Sequence, residues 1–135
     1  MDNCIFCKII NKELPSFKIY EDEFTYSFLD LSNDGNGHIL VIPKKHFKNI
    51  LDCDEETLAH ISSSTKKISK HLVENCGFSG VNILNASGED AEQSVFHLHF
   101  HILPRYKNDD IKVFPNLKKC KYSNEKLCEM LRVKE

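Results

Sequence analysis

Phe96-His97-Leu98-His99-Phe100-His101-Ile102-Leu103 is the stretch that decides the fold. Histidines stand at i, i+2 and i+4, with apolar residues between them. In an extended strand this puts His97, His99 and His101 on one face and Leu98, Phe100 and Ile102 on the other. The apolar face suits a core, so the histidine face is left for chemistry. Three alternating histidines are too many for the incidental polar side of a half-buried strand. A site in which all three ligate one metal fits poorly. Neighbouring positions lie ~6.6 Å apart along a strand and the outer pair ~13 Å. Two nitrogens on one zinc lie within ~4 Å of each other, so a straight strand offers one metal at most two of these ligands. An anion site suits the spacing better. One imidazole can act as a nucleophile while another, two residues on, contacts the same phosphate.

Outward from this stretch, the remaining pattern alternates short apolar runs with turns. Segments 17–21 and 24–30 read as aromatic-rich strands, and 38–43 as a buried strand. Between the last two, Ser32-Asn33-Asp34-Gly35-Asn36-Gly37 is a turn short enough for antiparallel neighbours. Residues 55 to about 75 carry Leu58, Ile61, Ile68 and Leu72 on one helical stripe, with Thr65 at its middle. Asp54 is the expected N-cap and Gly77 the expected stop. Segments 80–85 and 95–103 are the last two strands, joined by a polar loop over 86–94. A short helix opens the chain, with Phe6, Ile9 and Ile10 at helical spacing before Pro15. Another, capped near Ser123, carries Leu127, Met130 and Leu131. Parallel crossovers are few, so the expectation is an α+β fold: a five-stranded antiparallel sheet, one long helix and short terminal helices.

The chain has 135 residues, 41% hydrophobic and 28% charged, with net charge −2. That fits one globular domain over 1–135 and argues against disorder or a repeat array. No stretch approaches the ~20 apolar residues of a membrane helix. The first residues form no secretory signal, so the expected compartment is the cytoplasm. The small net charge favours neither nucleic acid nor an anionic membrane. From Arg105 onward nine Lys and Arg face five Asp and Glu, which reads as a solvated face.

In a reducing compartment six cysteines argue for metal or redox chemistry before disulfides. Cys4 and Cys7 form C-x-x-C. A thioredoxin-like pair needs a preceding strand, and only three residues precede Cys4. A zinc site needs two further ligands, for which His46 and His97 are the best candidates. That set would tie the first helix to the sheet and leave His99 and His101 free. Cys53, Cys76, Cys120 and Cys128 are expected to be ordinary buried thiols, and His60 and His71 to be exposed on the long helix.

Residues 97–103 match His-φ-His-φ-His-φ-φ, with φ apolar, at every position, and the chain resembles the histidine triad (HIT) family. The likeness extends through 4–15, 28–46 and 93–105. It is strongest to the nucleoside-phosphoramidase branch, with a core over about 4–106 and a tail over 107–135. The resemblance implies a HIT-like fold that pairs into a homodimer with one continuous sheet. It implies hydrolysis at the α-phosphate of purine nucleoside phosphoramidates through a nucleotidyl-histidine, releasing the nucleoside monophosphate. Related members act as dinucleoside polyphosphate hydrolases, and a nucleotide-binding regulator with little catalysis is a further alternative.

Residue by residue, the resemblance makes His99 the nucleophile and His101 a contact to the α-phosphate. His97 becomes a ligand of a structural zinc with Cys4, Cys7 and His46. Asp30 would accept the ribose hydroxyls, and Phe6, Ile9, Phe28, Leu31 and Leu40 would enclose the base. Gln93 and Ser94 match the polar pair before the triad, Ser94 bonding the phosphate or bridging atom. His38 matches a supporting histidine. The chain departs from the pattern twice. Ala86 stands where relatives carry Asn, the nearest being Asn85, which the resemblance places among the nucleotide contacts, and Glu92 stands where they carry Gly. The tail is expected to rim the pocket.

Overall fold

The computed structural model describes residues 3–134. Its elements run α1 (Ile5–Ile10), β1 (Lys18–Glu21), β2 (Thr25–Leu29), β3 (Ile39–Pro43), α2 (Glu55–Asn75), β4 (Gly80–Leu84), β5 (Phe100–Arg105) and α3 (Asn124–Leu131). The five strands form one sheet in the order β1-β2-β3-β5-β4, every pair antiparallel. This is the α+β architecture expected from the sequence.

The central strand β3 is Ile-Leu-Val-Ile-Pro, buried at every position. A continuous apolar run is what a strand covered on both faces requires. Ile39 and Val41 turn to one face, where Ile61, Ile68 and Leu72 of α2 meet Leu98 and Ile102. Leu40 and Ile42 turn to the other, where they meet Phe6 of α1 and Phe28 of β2. The sheet thus separates a larger core from a smaller one, and the functional residues lie on the side of the smaller.

The α2 stripe is as predicted, with Thr65 buried and bonded to the Ile61 carbonyl at 2.7 Å. Asp54 takes the N-cap position, but its side chain makes no capping bond. Gly77 ends the helix at φ +84°, where the Phe78 N–H reaches back to the Leu72 carbonyl. His60 is not on an exposed face: it is half-buried and stacks on Phe24 at 3.7 Å between centroids. Of the four scattered cysteines only Cys53 packs against the larger core. Cys76, Cys120 and Cys128 are exposed and Cys53 is half-buried, because no apolar layer covers the end of α2 or the tail. Ser123 caps α3 as expected, but no residue of α3 is buried.

The largest departure is the last strand. The segment expected over 95–103 pairs only from Phe100, and it continues through Pro104 to Arg105. Upstream, side chains and loops take the backbone groups that a ladder would use. Leu98 N–H donates to the Phe47 carbonyl at 2.7 Å, and the Val95 carbonyl accepts from the Gln93 amide at 3.0 Å. The alternation nevertheless persists, because Leu98 is fully buried in the α2 core.

Asp22 ties the β1–β2 turn to α2. Its carboxylate accepts from the Phe24 and Thr25 backbone N–H groups at 2.9 and 2.8 Å. The Thr25 and Ser64 hydroxyls each reach it at 3.0 Å. Burial works against the charge, but these donors hold the carboxyl at about 2, below its ordinary 3.8. Asp22→Ala should lower stability by about 2–3 kcal/mol in urea unfolding at neutral pH. Because the folded value is the lower one, the contribution is complete above pH 3.8 and drains as pH falls toward 2. The gap between wild type and variant should therefore narrow over that interval.

Candidate active site and metal centre

The β3–β5 register sets Leu40 opposite His101, so this histidine faces the smaller core. His99 precedes it on the same side, with ring centroids 4.8 Å apart. Phe6 stands edge-on to His99 at 5.2 Å and to Phe28 at 5.4 Å. Around these rings lies a cavity of about 210 Å³. Phe6, Ile9, Phe28 and Leu40 make apolar walls, and Asp30, Ser94, His99 and His101 supply polar groups. Leu31 is 75% exposed and stands at its mouth. A mostly apolar cleft with a few convergent polar groups is the usual form of a small-molecule site.

The histidine protonation pattern follows from the partners. His99 Nδ1 lies 2.8 Å from the His97 carbonyl, which can only accept. Nδ1 therefore carries the hydrogen, and the Nε2 lone pair is free. Burial lowers the His99 pKa, against the His97 carbonyl and the charge of Asp30, which raise it. His38 Nδ1 lies 3.2 Å from Asp30 Oδ2, and its Nε2 is 2.7 Å from His101 Nδ1. With the carboxylate accepting from His38 Nδ1–H, His101 Nδ1–H donates to His38 Nε2. The Nε2 of His101 then holds a lone pair until a proton arrives. Burial pushes His101 down to about 4, and the neighbouring His99 and His38 add to the effect.

Gln93 and Asn85, predicted to bind nucleotide, do not line the cavity. The buried Gln93 amide organises the loop beside it. Its NH2 donates to the Lys48 carbonyl at 2.7 Å, and its oxygen accepts from Gly88 N–H at 2.9 Å. Asn85 donates to the His99 carbonyl at 3.0 Å, gripping the triad from behind. Among the described residues, the cavity lining includes none of the tail.

Two supports were not singled out in the sequence. Arg105 grips Asp109 through Nε at 2.8 Å and a terminal nitrogen at 2.9 Å. Asn36 donates to the same carboxylate and to the Pro104 carbonyl, each at 3.0 Å. This knot pins the turn between Asp30 and His38. The Arg105 guanidinium, in turn, holds the Asp109 carboxyl far below the ordinary carboxylate range. Its only sequence signal is an oppositely charged pair four residues apart in a non-helical segment, which carries no prediction.

The second constellation is Cys4, Cys7, His46 and His97, whose ligand atoms all lie within 4.8 Å of one another. Cys4 Sγ and Cys7 Sγ are 3.4 and 3.6 Å from His97 Nδ1. Cys7 Sγ and His97 Nδ1 lie 3.4 and 3.1 Å from His46 Nδ1. Tetrahedral zinc with sulfur and nitrogen ligands requires separations of about 3.3–3.8 Å; the three sulfur–nitrogen distances fall in that range, the histidine pair lies slightly inside it, and the donors are of the right kind. His97 Nε2 donates to the Pro43 carbonyl at 2.9 Å, which turns the Nδ1 lone pair inward. Burial pushes His97 down to about 4, which keeps the ring neutral as a ligand must be. Burial and the neighbouring Cys4 sulfur push the Cys7 thiol up to about 11, a balance that a divalent cation reverses.

The HIT domain family model matches residues 11–108, and the chain belongs to the HIT family. An HIT-like protein of Borreliella burgdorferi is 49% identical over 111 residues, covering 81% of this chain and 80% of that one. An adenosine 5′-monophosphoramidase of Saccharomyces cerevisiae is 40% identical, over 76% of this chain and 62% of its own. Among solved structures, a HIT family member from Bacillus subtilis has a TM-score of 0.83 at 41% identity, covering 95% of this chain and 92% of that one. A zinc-bound histidine triad protein from Mycobacterium smegmatis has a TM-score of 0.79 at 34% identity, covering 87% and 85%.

Glu92, the departure from glycine, sits at φ 68° and ψ 28°. This left-handed conformation costs a side-chain-bearing residue about 1–2 kcal/mol, which glycine avoids. Glycine's greater freedom in the unfolded chain returns part of that gain. Glu92→Gly should therefore raise stability by about 0.5–1 kcal/mol in urea unfolding.

Proposed function

We infer that the single domain over 1–135 hydrolyses purine nucleoside phosphoramidates at the α-phosphate. The reading is carried by His99: its Nδ1–H is held by the His97 carbonyl at 2.8 Å, beside a mostly apolar cavity of about 210 Å³. Nε2 of His99 attacks the α-phosphorus in line with the departing amine. The P–N bond breaks as the N–P bond to His99 forms, a proton relayed from water through the exposed Ser94 hydroxyl reaches the departing nitrogen so that a neutral amine leaves, and water later releases the nucleoside monophosphate. Phe6, Ile9, Phe28, Leu31 and Leu40 enclose the base.

Asp30 has accepting capacity for ribose hydroxyls beyond its bond to His38. Ser94 contacts the phosphoryl or bridging atom. His101 takes up a proton when an anionic phosphoryl group enters, because negative charge beside an imidazole favours its cation. It then donates from Nε2 while Asp30 and His38 brace it from behind. Gln93 and Asn85 act through the loop and the triad backbone. The kinship with an adenosine 5′-monophosphoramidase supports this substrate class over dinucleoside polyphosphates.

Cys4, Cys7, His46 and His97 are suited to a structural zinc, a reading supported by the zinc-bound relative. The ion would supply cross-linking there. The exposed edge strand β4, with Ile83 48% and Leu84 39% exposed, is suited to pairing with a second copy. Among the described residues no helix is long and apolar enough to cross a membrane.

Turnover of adenosine 5′-phosphoramidate is the test, with diadenosine tetraphosphate run alongside. Wild type should release AMP faster from the phosphoramidate. His99→Ala should lose about 10³-fold or more of the rate while still binding AMP. Undiminished turnover in that variant would overturn the mechanism.

A further inference from the structure

The segment 4–13 has few ties to the rest of the chain. α1 spans six residues, too short to hold itself helical in water. Its backbone bonds return to its own turns, as from Lys8 N–H to the Cys4 carbonyl and from Glu13 N–H to the Lys8 carbonyl. Its N-cap acceptor is a sulfur, with Cys7 N–H 3.4 Å from Cys4 Sγ. Among the described residues, the polar contacts that leave this segment all run from Cys4 or Cys7 to His46 or His97. The remaining attachment is apolar and centres on Phe6.

This lightly held segment nevertheless supplies a wall of the cavity. Ile5, Phe6 and Ile9 face Phe28 and Leu40 across it. The same cluster also reaches the proposed nucleophile. His97 offers Nδ1 to the cluster, and its carbonyl accepts the Nδ1–H of His99. On the far side of the cluster, Cys7 and His46 line a separate cavity of about 510 Å³ together with Lys8, Lys44 and Lys45. The cluster is therefore not sealed inside the core.

We propose that Cys4, Cys7 and His46 are positioning residues for the nucleotide site. By sharing a divalent cation with His97 they clamp α1 against β2 and β3, so that nucleotide affinity depends on metal occupancy. The proposal rests on the nucleotide and zinc readings above. Its energetic form is a coupling between two sites, and such coupling is reciprocal. A metal that tightens nucleotide binding must itself be held more tightly when nucleotide is bound.

The experiment compares the 135-residue chain loaded with Zn²⁺ and the same chain stripped by a chelator. AMP affinity is read by calorimetry and amide protection by hydrogen exchange. Stripping should weaken AMP binding about tenfold or more. It should expose the amides of α1 while β3 and β5 stay protected. Re-adding Zn²⁺ should restore both, and AMP should raise Zn²⁺ affinity by the same factor. Cys7→Ser should match the stripped protein and gain nothing from Zn²⁺. Unchanged AMP affinity and α1 protection after stripping would overturn the clamp. So would loss of protection throughout β3 and β5, or a chain that takes up no Zn²⁺. Loaded protein that binds no AMP would overturn the nucleotide reading instead, and the exchange of α1 would still decide the clamp.

Discussion

Burial of Leu98 and Ile102 against α2 is the constraint on which the site depends. Both side chains are fully enclosed in the larger core. A slip of one residue would drive imidazoles into that core and leucine into the cleft. The register of 97–102 is therefore held by apolar packing on one side of the sheet, while its chemistry is displayed on the other. His97, His99 and His101 need little orienting energy of their own. Their direction is inherited from residues that never touch the cavity.

The two histidine-bearing constellations are built from one stretch of backbone. His97 turns its ring toward Cys4, Cys7 and His46, and its carbonyl toward His99. His101 turns its ring toward His38 and so toward Asp30. His99 lies between these two anchored neighbours, with Nδ1 committed and Nε2 free. The central triad histidine is thus constrained from both ends of the motif.

Much of this was legible from residue spacing. The period-2 pattern at 97–102 and the period of α2 predicted both faces of the sheet. C-x-x-C with His46 and His97 predicted the Cys/His cluster that the fold brings together. The parts that were not legible depend on long-range partners. Strand pairing of 95–99 failed because Phe47 and Gln93, distant or locally ambiguous in sequence, take the backbone groups. His60 lost its exposed face to Phe24, which lies in the turn between β1 and β2. Gln93 and Asn85 resemble ligand contacts in sequence, but their hydrogen bonds are spent on the protein. The Arg105–Asp109 knot has no local periodicity to announce it.

Gln93 carries a wider consequence. The loop over 86–94 has almost no apolar anchor; beside the Ser87 hydroxyl, which accepts from Ile50 N–H at 3.1 Å, the buried Gln93 amide makes most of its side-chain ties. That amide donates to the Lys48 and Val95 carbonyls and accepts from Gly88 and Asn49. It is close to valence saturation, with donors and acceptors used in opposite directions. No other side chain of that length offers both: glutamate lacks the donors, lysine lacks the acceptor, and methionine has neither in useful strength. The loop is therefore chemically brittle although it is solvent-facing, and its sequence freedom is narrow at the one position hidden from solvent.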